Sequence, residues 1–143
     1  STWAATAHYM DESIDTGGII EIGEFPIDSD SETAQSLEYK CRPVLFGLFK
    51  KTVSKAKRAK DRLPVSHNKG GRYISRNQME AMKHVQDGDD VDRKIRAFWF
   101  PPYDGALVEI NGDKYTLVNR DILESLADSA SSSLFSPERK RKR

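Results

Sequence analysis

The sequence contains a single cysteine, Cys41, and only three histidines among 143 residues. One thiol cannot close an internal disulfide and cannot build a cysteine-based zinc site. Cys41 lies among apolar residues at helical spacing and reads as a core residue rather than a nucleophile. No apolar run approaches the roughly 20 residues that a helix needs to cross a bilayer, so no membrane partner is expected. The opening Ser1-Thr2-Trp3 has neither the basic flank nor the apolar segment of a secretion signal, and no initiator methionine. A processed or truncated product in a reducing, cytoplasmic compartment is the expectation. Positive charge is missing from the front of the chain. No Lys or Arg precedes Lys40, whereas carboxylates are frequent there. The formal net charge of +1 therefore hides an acidic front and a basic remainder.

What is present follows that polarity. Nearly every second residue between Lys50 and Arg62 is basic, and Glu138-Arg139-Lys140-Arg141-Lys142-Arg143 is a basic tail. Such segments read as solvated surface or as contact for an anionic partner, nucleic acid included. The tail also reads as a nuclear address.

Periodicity predicts a mixed α/β chain. Trp3 to Tyr9 and Ile19 to Phe25 are strands. In the second, Ile19, Glu21, Gly23 and Phe25 share one face, and Ile20, Ile22 and Glu24 share the other. Apolar residues on both faces favour a strand buried in a layered sheet over an open hairpin. Ser31 or Thr33 can cap a helix with an apolar stripe of Ala34, Leu37, Cys41, Leu45 and Leu48, kinked at Pro43. Ser75 and Gln78 have capping-box spacing for a short helix reaching Val85. Val91, Ile95 and Phe98 mark another helical turn or two. Ala106 to Val118 is a β-hairpin around Asn111-Gly112, the pair that suits a type I′ turn. Asn119 can cap a last helix ending at Ala127, and residues 129–143 read as disordered.

The densest chemistry lies in His8-Tyr9-Met10-Asp11-Glu12-Ser13-Ile14-Asp15-Thr16-Gly17-Gly18-Ile19-Ile20. Three carboxylates, Asp11, Glu12 and Asp15, stand beside His8 between two strands. A carboxylate next to an imidazole can shuttle a proton to or from a nucleophilic amine. Thr16-Gly17-Gly18 lets backbone amides approach a ligand closely. The same pattern also describes a solvated acidic turn. One histidine and clustered acids specify no metal geometry, so no metal is assigned.

This segment resembles the loop of the formyltransferases that use 10-formyltetrahydrofolate, a family that includes methionyl-tRNA formyltransferase, glycinamide ribonucleotide transformylase and the sugar-nucleotide N-formyltransferases. The shared pattern is His-x-Met-Asp-Glu-x-Ile-Asp-x-Gly-x-Ile. A second segment, Lys94-Ile95-Arg96-Ala97-Phe98-Trp99-Phe100-Pro101-Pro102-Tyr103-Asp104-Gly105-Ala106, resembles the stretch after the catalytic domain in the methionyl-tRNA and sugar branches. Gly71-Arg72-Tyr73-Ile74 and the hairpin resemble the sugar branch more.

The resemblance implies an α/β fold: the C-terminal part of a Rossmann-like domain with a mostly parallel sheet, followed by a helix and β-hairpin extension. Its divisions fall at 1–65 for the C-terminal half of the catalytic domain, 66–128 for the extension and 129–143 for a disordered basic tail. It implies 10-formyltetrahydrofolate as formyl donor, held by Met10, Asp11, Glu12, Ile14 and Asp15. Asp15 maps onto the catalytic aspartate that steadies a histidine and helps move a proton. The implied acceptor is a small amine, above all that of a nucleotide-linked amino sugar. A methionyl-tRNA formyltransferase-like chain, or a non-catalytic assembly or nucleic-acid-binding module, stand as alternatives. The family's Asn-x-His pair has no counterpart: Asn68, Asn77 and Asn111 have no histidine two positions on. The chain alone is therefore expected to be incomplete and inactive, as a truncated product, a split subunit or a remnant. It would pair with an N-terminal half, or form a homodimer through the hairpin.

Overall fold

The computed structural model describes residues 1–69 and 71–134. The basic tail, and with it residues 135–143 of the expected disordered segment, lie outside the described residues, as does Gly70.

Strand β1 (Thr2–His8) and strand β2 (Ile19–Pro26) pair antiparallel, Trp3 opposite Phe25 and Ala5 opposite Gly23. The register slips at His8, where the chain leaves the ladder for the acidic loop. Helix α1 (Ala34–Arg58) lies across one face of this pair. Ala5, Phe25 and Leu48 are buried there. Gly23 lets the helix come close, because a Cβ at that position would lie 2.8 Å from Val44 Cγ1. Glu21, on the same face, reaches Lys51 Nζ at 2.7 Å and also pairs with Lys55.

The opposite face of the pair is open, with Ile22 48% exposed. The expected two-faced burial is therefore not provided by the described residues. Nor do they form the mostly parallel sheet: the strands make two separate antiparallel pairs. The mixed α/β character holds. A two-stranded ribbon has two faces and one covering helix, so only one face can be buried.

Helix α1 begins at a capping box. Thr33 accepts the Ser36 amide hydrogen, and Ser36 Oγ accepts that of Thr33. It runs through Pro43 as one element of 25 residues. The missing proline N–H leaves the carbonyl of Tyr39 without its helical donor, and Tyr39 is exposed, so water can serve instead. Cys41 is half-buried rather than a core residue. The stripe is fully covered only at Leu48, because β1 and β2 reach only part of the helix.

Past α1 the chain returns to the first hairpin, where Ser66 and Ile19 exchange both backbone hydrogen bonds at 2.8 and 3.0 Å. Helix α2 (Arg76–Met82) has the predicted Ser75–Gln78 capping box. It stops short of Val85 because the backbone there is taken by another partner. The Val85 amide donates to Leu107, and the Leu107 amide to Lys83, both at 2.8 Å. Helix α3 (Val91–Phe98) is capped by Asp90. Strands β3 (Leu107–Ile110) and β4 (Asp113–Thr116) form the predicted hairpin, with Asn111 and Gly112 at φ 54° and 89°. These left-handed values are those a type I′ turn requires. Helix α4 (Arg120–Leu134) opens with Asn119 Oδ1 accepting the Ile122 amide hydrogen at 3.0 Å. It extends past Ala127, so residues 129–134 are helical rather than disordered. No glycine or proline interrupts the run before Pro137, and alanine favours the helix.

A second core sits under the hairpin. Ile95, Ala106 and Ile122 are buried, with Val85, Trp99 and Leu117 packed around them. Arg96 pairs with Asp92 one turn earlier. The two parts of the chain meet where the Gln35 amide donates to the Trp99 carbonyl at 3.1 Å. Among the described residues, no helix is long and apolar enough to cross a membrane.

Candidate active site

The acidic loop spans the gap between β1 and β2. Its neck is closed by the Tyr9 amide, which donates to the Gly18 carbonyl at 3.0 Å. The glycine pair is needed at this neck, for a reason different from ligand approach. A Cβ on Gly17 would fall 1.6 Å from the Tyr9 carbonyl oxygen, and one on Gly18 would fall 2.8 Å from Val65 Cγ2. The space beside both glycines is filled by the chain itself.

Asp11 organises the first half of the loop. Its Oδ1 accepts from the Thr16 hydroxyl at 2.5 Å and from the Ser13 amide at 3.1 Å. The Thr16 hydrogen bond, then that of Ser13, holds the Asp11 carboxyl below the usual aspartate range. Asp11 therefore has a loop-shaping role.

Asp15 occupies the turn of the second half, in the left-handed region at φ 56°. A non-glycine residue there is uncommon, and aspartate is among the types that tolerate it. The conformation is fastened from a distance. Asn68 Nδ2 donates to the Asp15 carbonyl at 2.7 Å and to the Gly17 carbonyl at 3.2 Å. Asp15 Oδ1 stands 3.7 Å from His8 Nε2, while His8 Nδ1 lies 3.0 Å from the Tyr9 carbonyl. The separation from His8 is too long for a direct hydrogen bond. The Asp15 side chain is 85% exposed, so its carboxylate is presented outward with His8 as a neighbour.

The other expected ligand-holding residues lie on the same projecting loop. Glu12 is exposed. Met10 is 92% exposed and Ile14 76%. Two apolar side chains held out among carboxylates are costly to hydrate and offer contact for a flat, partly apolar ring. The structure thus brings Met10, Asp11, Glu12, Ile14 and Asp15 to one loop. It leaves the Asp15 carboxylate open to solvent instead of closing a cleft around it. Clefts lie elsewhere in the chain. One of about 570 Å³ is lined by Met82, Arg93 and Phe98, and another of about 610 Å³ by Tyr39, Arg96 and Ile122. Among the described residues, no group of three or more His, Cys, Asp or Glu could hold a metal ion.

Two contacts that shape the site have no local signal in the sequence. One is Asn68, which is 53 positions from Asp15. The other is the pair made by Tyr9 with the segment after α1. The Tyr9 phenol oxygen accepts the Leu63 amide hydrogen at 2.8 Å, and the Arg62 guanidinium lies 4.1 Å from the centre of its ring. The aromatic side chains between Trp99 and Tyr103 do not form one cluster. Trp99 packs on the second core, whereas Phe100 and Tyr103 face each other at 6.0 Å with Tyr103 mostly exposed.

No family model matches the chain, and no curated protein does. Solved structures do match. A 4-N formyltransferase from Francisella tularensis superposes with a TM-score of 0.68 at 25% identity, over 80% of this chain and 49% of that one. The fold is formyltransferase-like. A protein of Mycobacterium tuberculosis, proposed to be a sugar N-formyltransferase, also gives a TM-score of 0.68, at 16% identity, over 83% of this chain and 53% of its own. The likeness to this second protein is one of fold alone. The chain spans about half the length of both structures.

Proposed function

We propose that this chain supplies one side of a formyl-transfer centre, in which a formyl group passes from 10-formyltetrahydrofolate to an amine, that of a nucleotide-linked amino sugar. One observation carries the reading. In a chain with a formyltransferase-like fold, Asp15 is held in a left-handed turn by Asn68 and presents its carboxylate outward beside exposed Met10 and Ile14.

The residues present fit a folate ring. Met10 and Ile14 offer apolar contact, and the loop backbone and carboxylates offer acceptors for the ring's N–H groups. Met10, Asp11, Glu12, Ile14 and Asp15 would hold it. Bound there, the donor supplies the formyl carbon. Asp15 orients the imidazole of an Asn-x-His pair contributed by another polypeptide segment. It would balance the charge on that ring while the ring takes the proton lost by the attacking amine and returns it to the donor nitrogen as the N–C bond to the formyl group breaks. His8, 3.7 Å from the Asp15 carboxylate, lies beside it at the end of β1. Asp11, committed to Thr16 and Ser13, fixes the shape of the loop that carries Asp15.

Amide NMR tests this directly. Titration with 5-formyltetrahydrofolate, a stable isomer of the donor, is expected to move the Met10 to Asp15 resonances first. Resonances that stay fixed at about millimolar ligand, a binding free energy no better than roughly −4 kcal/mol, would sink the reading. The chain by itself, given 10-formyltetrahydrofolate and a nucleotide-linked 4-amino sugar, is expected to show no turnover. Robust turnover would refute its need for a second segment.

A further inference from the structure

Helix α1 turns an aromatic row away from the strands that it covers. Val44 stands against Gly23 of β2, and Leu48 is buried on that side. One residue advances a helix by about 100°, so Phe46 lies roughly 200° round from Val44. Tyr39, Phe46 and Phe49 mark this outer side, 57%, 61% and 61% exposed, with Leu45 beside them at 47%. Steps of three and four residues keep Tyr39, Arg42, Phe46, Phe49 and Val53 in one stripe. A segment covering the open face of the β pair would not reach it, because the pair itself lies between.

Charge along this part of the chain has one sign. No Asp or Glu stands between Glu38 and Asp61, while eight Lys and Arg do. Lys40, Arg42, Lys51 and Lys55 are engaged by Glu32, Glu38 and Glu21. Among the described residues, no carboxylate pairs with Lys50 or Lys57, which lie on the outer side. The Arg42 guanidinium stands 4.8 Å from the centre of the Tyr39 ring, and Lys50 Nζ stands 4.6 Å from that of Phe46. These features choose among partners. A single nucleic-acid strand stacks its bases on ring faces, and a cation already occupies a face of both rings. A second copy of α1 would set cations against cations. A groove that grips a helix needs more of it than the one side that β1 and β2 leave free. A lipid surface carrying negative charge fits all three constraints. It takes aromatic side chains at its headgroup boundary and attracts Lys and Arg, and a helix can lie on it along one side.

We propose that the outer side of α1 seats the chain on an anionic bilayer surface, with Tyr39, Phe46 and Phe49 entering the headgroup boundary and Lys50 and Lys57 facing the lipid phosphates. The expectation of no membrane partner rested on the lack of a spanning run. Lying on a surface needs only one apolar side with cations around it. The charged part of the attachment is exposed, so it weakens with salt.

Sedimentation of the whole chain with lipid vesicles tests the surface. Phosphatidylcholine vesicles containing about one-third phosphatidylglycerol are expected to retain the chain about tenfold better than pure phosphatidylcholine, the effect of a few surface cations. The difference should shrink as salt rises. Phe46→Ser/Phe49→Ser should lower retention about tenfold or more, since two rings no longer leave water. Its urea midpoint should stay unchanged, because both rings are mostly exposed. If that variant does not fold, Lys50→Gln/Lys57→Gln reads the same surface and should remove the preference for the anionic vesicles. No retention at low salt overturns the proposal, as does equal retention on both kinds of vesicle. Retention that the Phe46→Ser/Phe49→Ser variant keeps in full removes α1 from the attachment. A dimer in equilibrium sedimentation that this variant abolishes overturns the proposal in favour of a second copy. Binding of a short RNA in preference to the vesicles, lost in the same variant, overturns it in favour of nucleic acid.

Discussion

The Tyr9 carbonyl oxygen occupies the place where a side chain at Gly17 would begin, 1.6 Å from the ideal Cβ position. The neck of the acidic loop is thus closed by backbone pressing on backbone, and no rotamer change can relieve an added methyl group. Gly17→Ala is expected to destabilise the chain by about 3 kcal/mol, the upper end of the usual range for overpacking. Urea unfolding of the two proteins measures it. A midpoint that does not move would mean that the loop can reopen its neck without cost.

Asn68 holds the loop from outside through the Asp15 and Gly17 carbonyls. Asn68→Ala removes both hydrogen bonds and is expected to cost about 1 to 2 kcal/mol. The sharper readout is local. Amide hydrogen exchange should accelerate across 10–18 more than in α1 or α3.

Asp15 separates chemistry from backbone in one comparison. Asparagine tolerates the left-handed turn, so Asp15→Asn is expected to leave stability within about 0.5 kcal/mol. Asp15→Ala places a poorly suited residue at φ 56° and should cost about 1 kcal/mol. When the chain is combined with the segment that completes the site, both variants should slow formyl transfer about a hundredfold or more. Measuring stability by urea melts and the rate by tetrahydrofolate release tells the two effects apart. Full activity in Asp15→Asn would remove Asp15 from the mechanism.

Glu21 ties β2 to α1, and its hydrogen bonds from Lys51 and then Lys55 hold its carboxyl below the usual glutamate value near 4.5. A depressed folded-state value means that the contribution is fully present above the unfolded value. It is lost as pH falls through the folded one. The chain should therefore lose stability progressively in acid below about pH 4.5. Glu21→Gln should flatten that dependence and lower stability at neutral pH. Urea midpoints for both proteins from about pH 7 to about pH 3 give the comparison.

Local signals were strong wherever the chain interacts with near neighbours. The capping boxes at Thr33 and Ser75, the Asn119 cap and the Asn111-Gly112 turn all stand where residue chemistry puts them. Glu21, Gly23 and Phe25 share the α1-facing side of β2, as alternation requires. The loop carrying Met10, Asp11, Glu12, Ile14 and Asp15 was legible as one unit because those residues are contiguous. Two of the misreadings came from distant partners. Helix α2 ends early because Leu107 claims the backbone beside it. Cys41 is less buried than its stripe suggests because the sheet covers only part of α1.

By itself, then, the sequence determined the elements, their caps, the hairpin turn and the composition of the acidic loop, since each depends on dihedral preference and spacing within a few residues. Only the tertiary structure decided what surrounds that loop. Asn68 at its back, Tyr9 filling the space beside Gly17, and Arg62 over the Tyr9 ring bring together positions more than 50 apart or tied through backbone atoms. Such contacts are chosen by the packing of whole elements, and no local pattern encodes them.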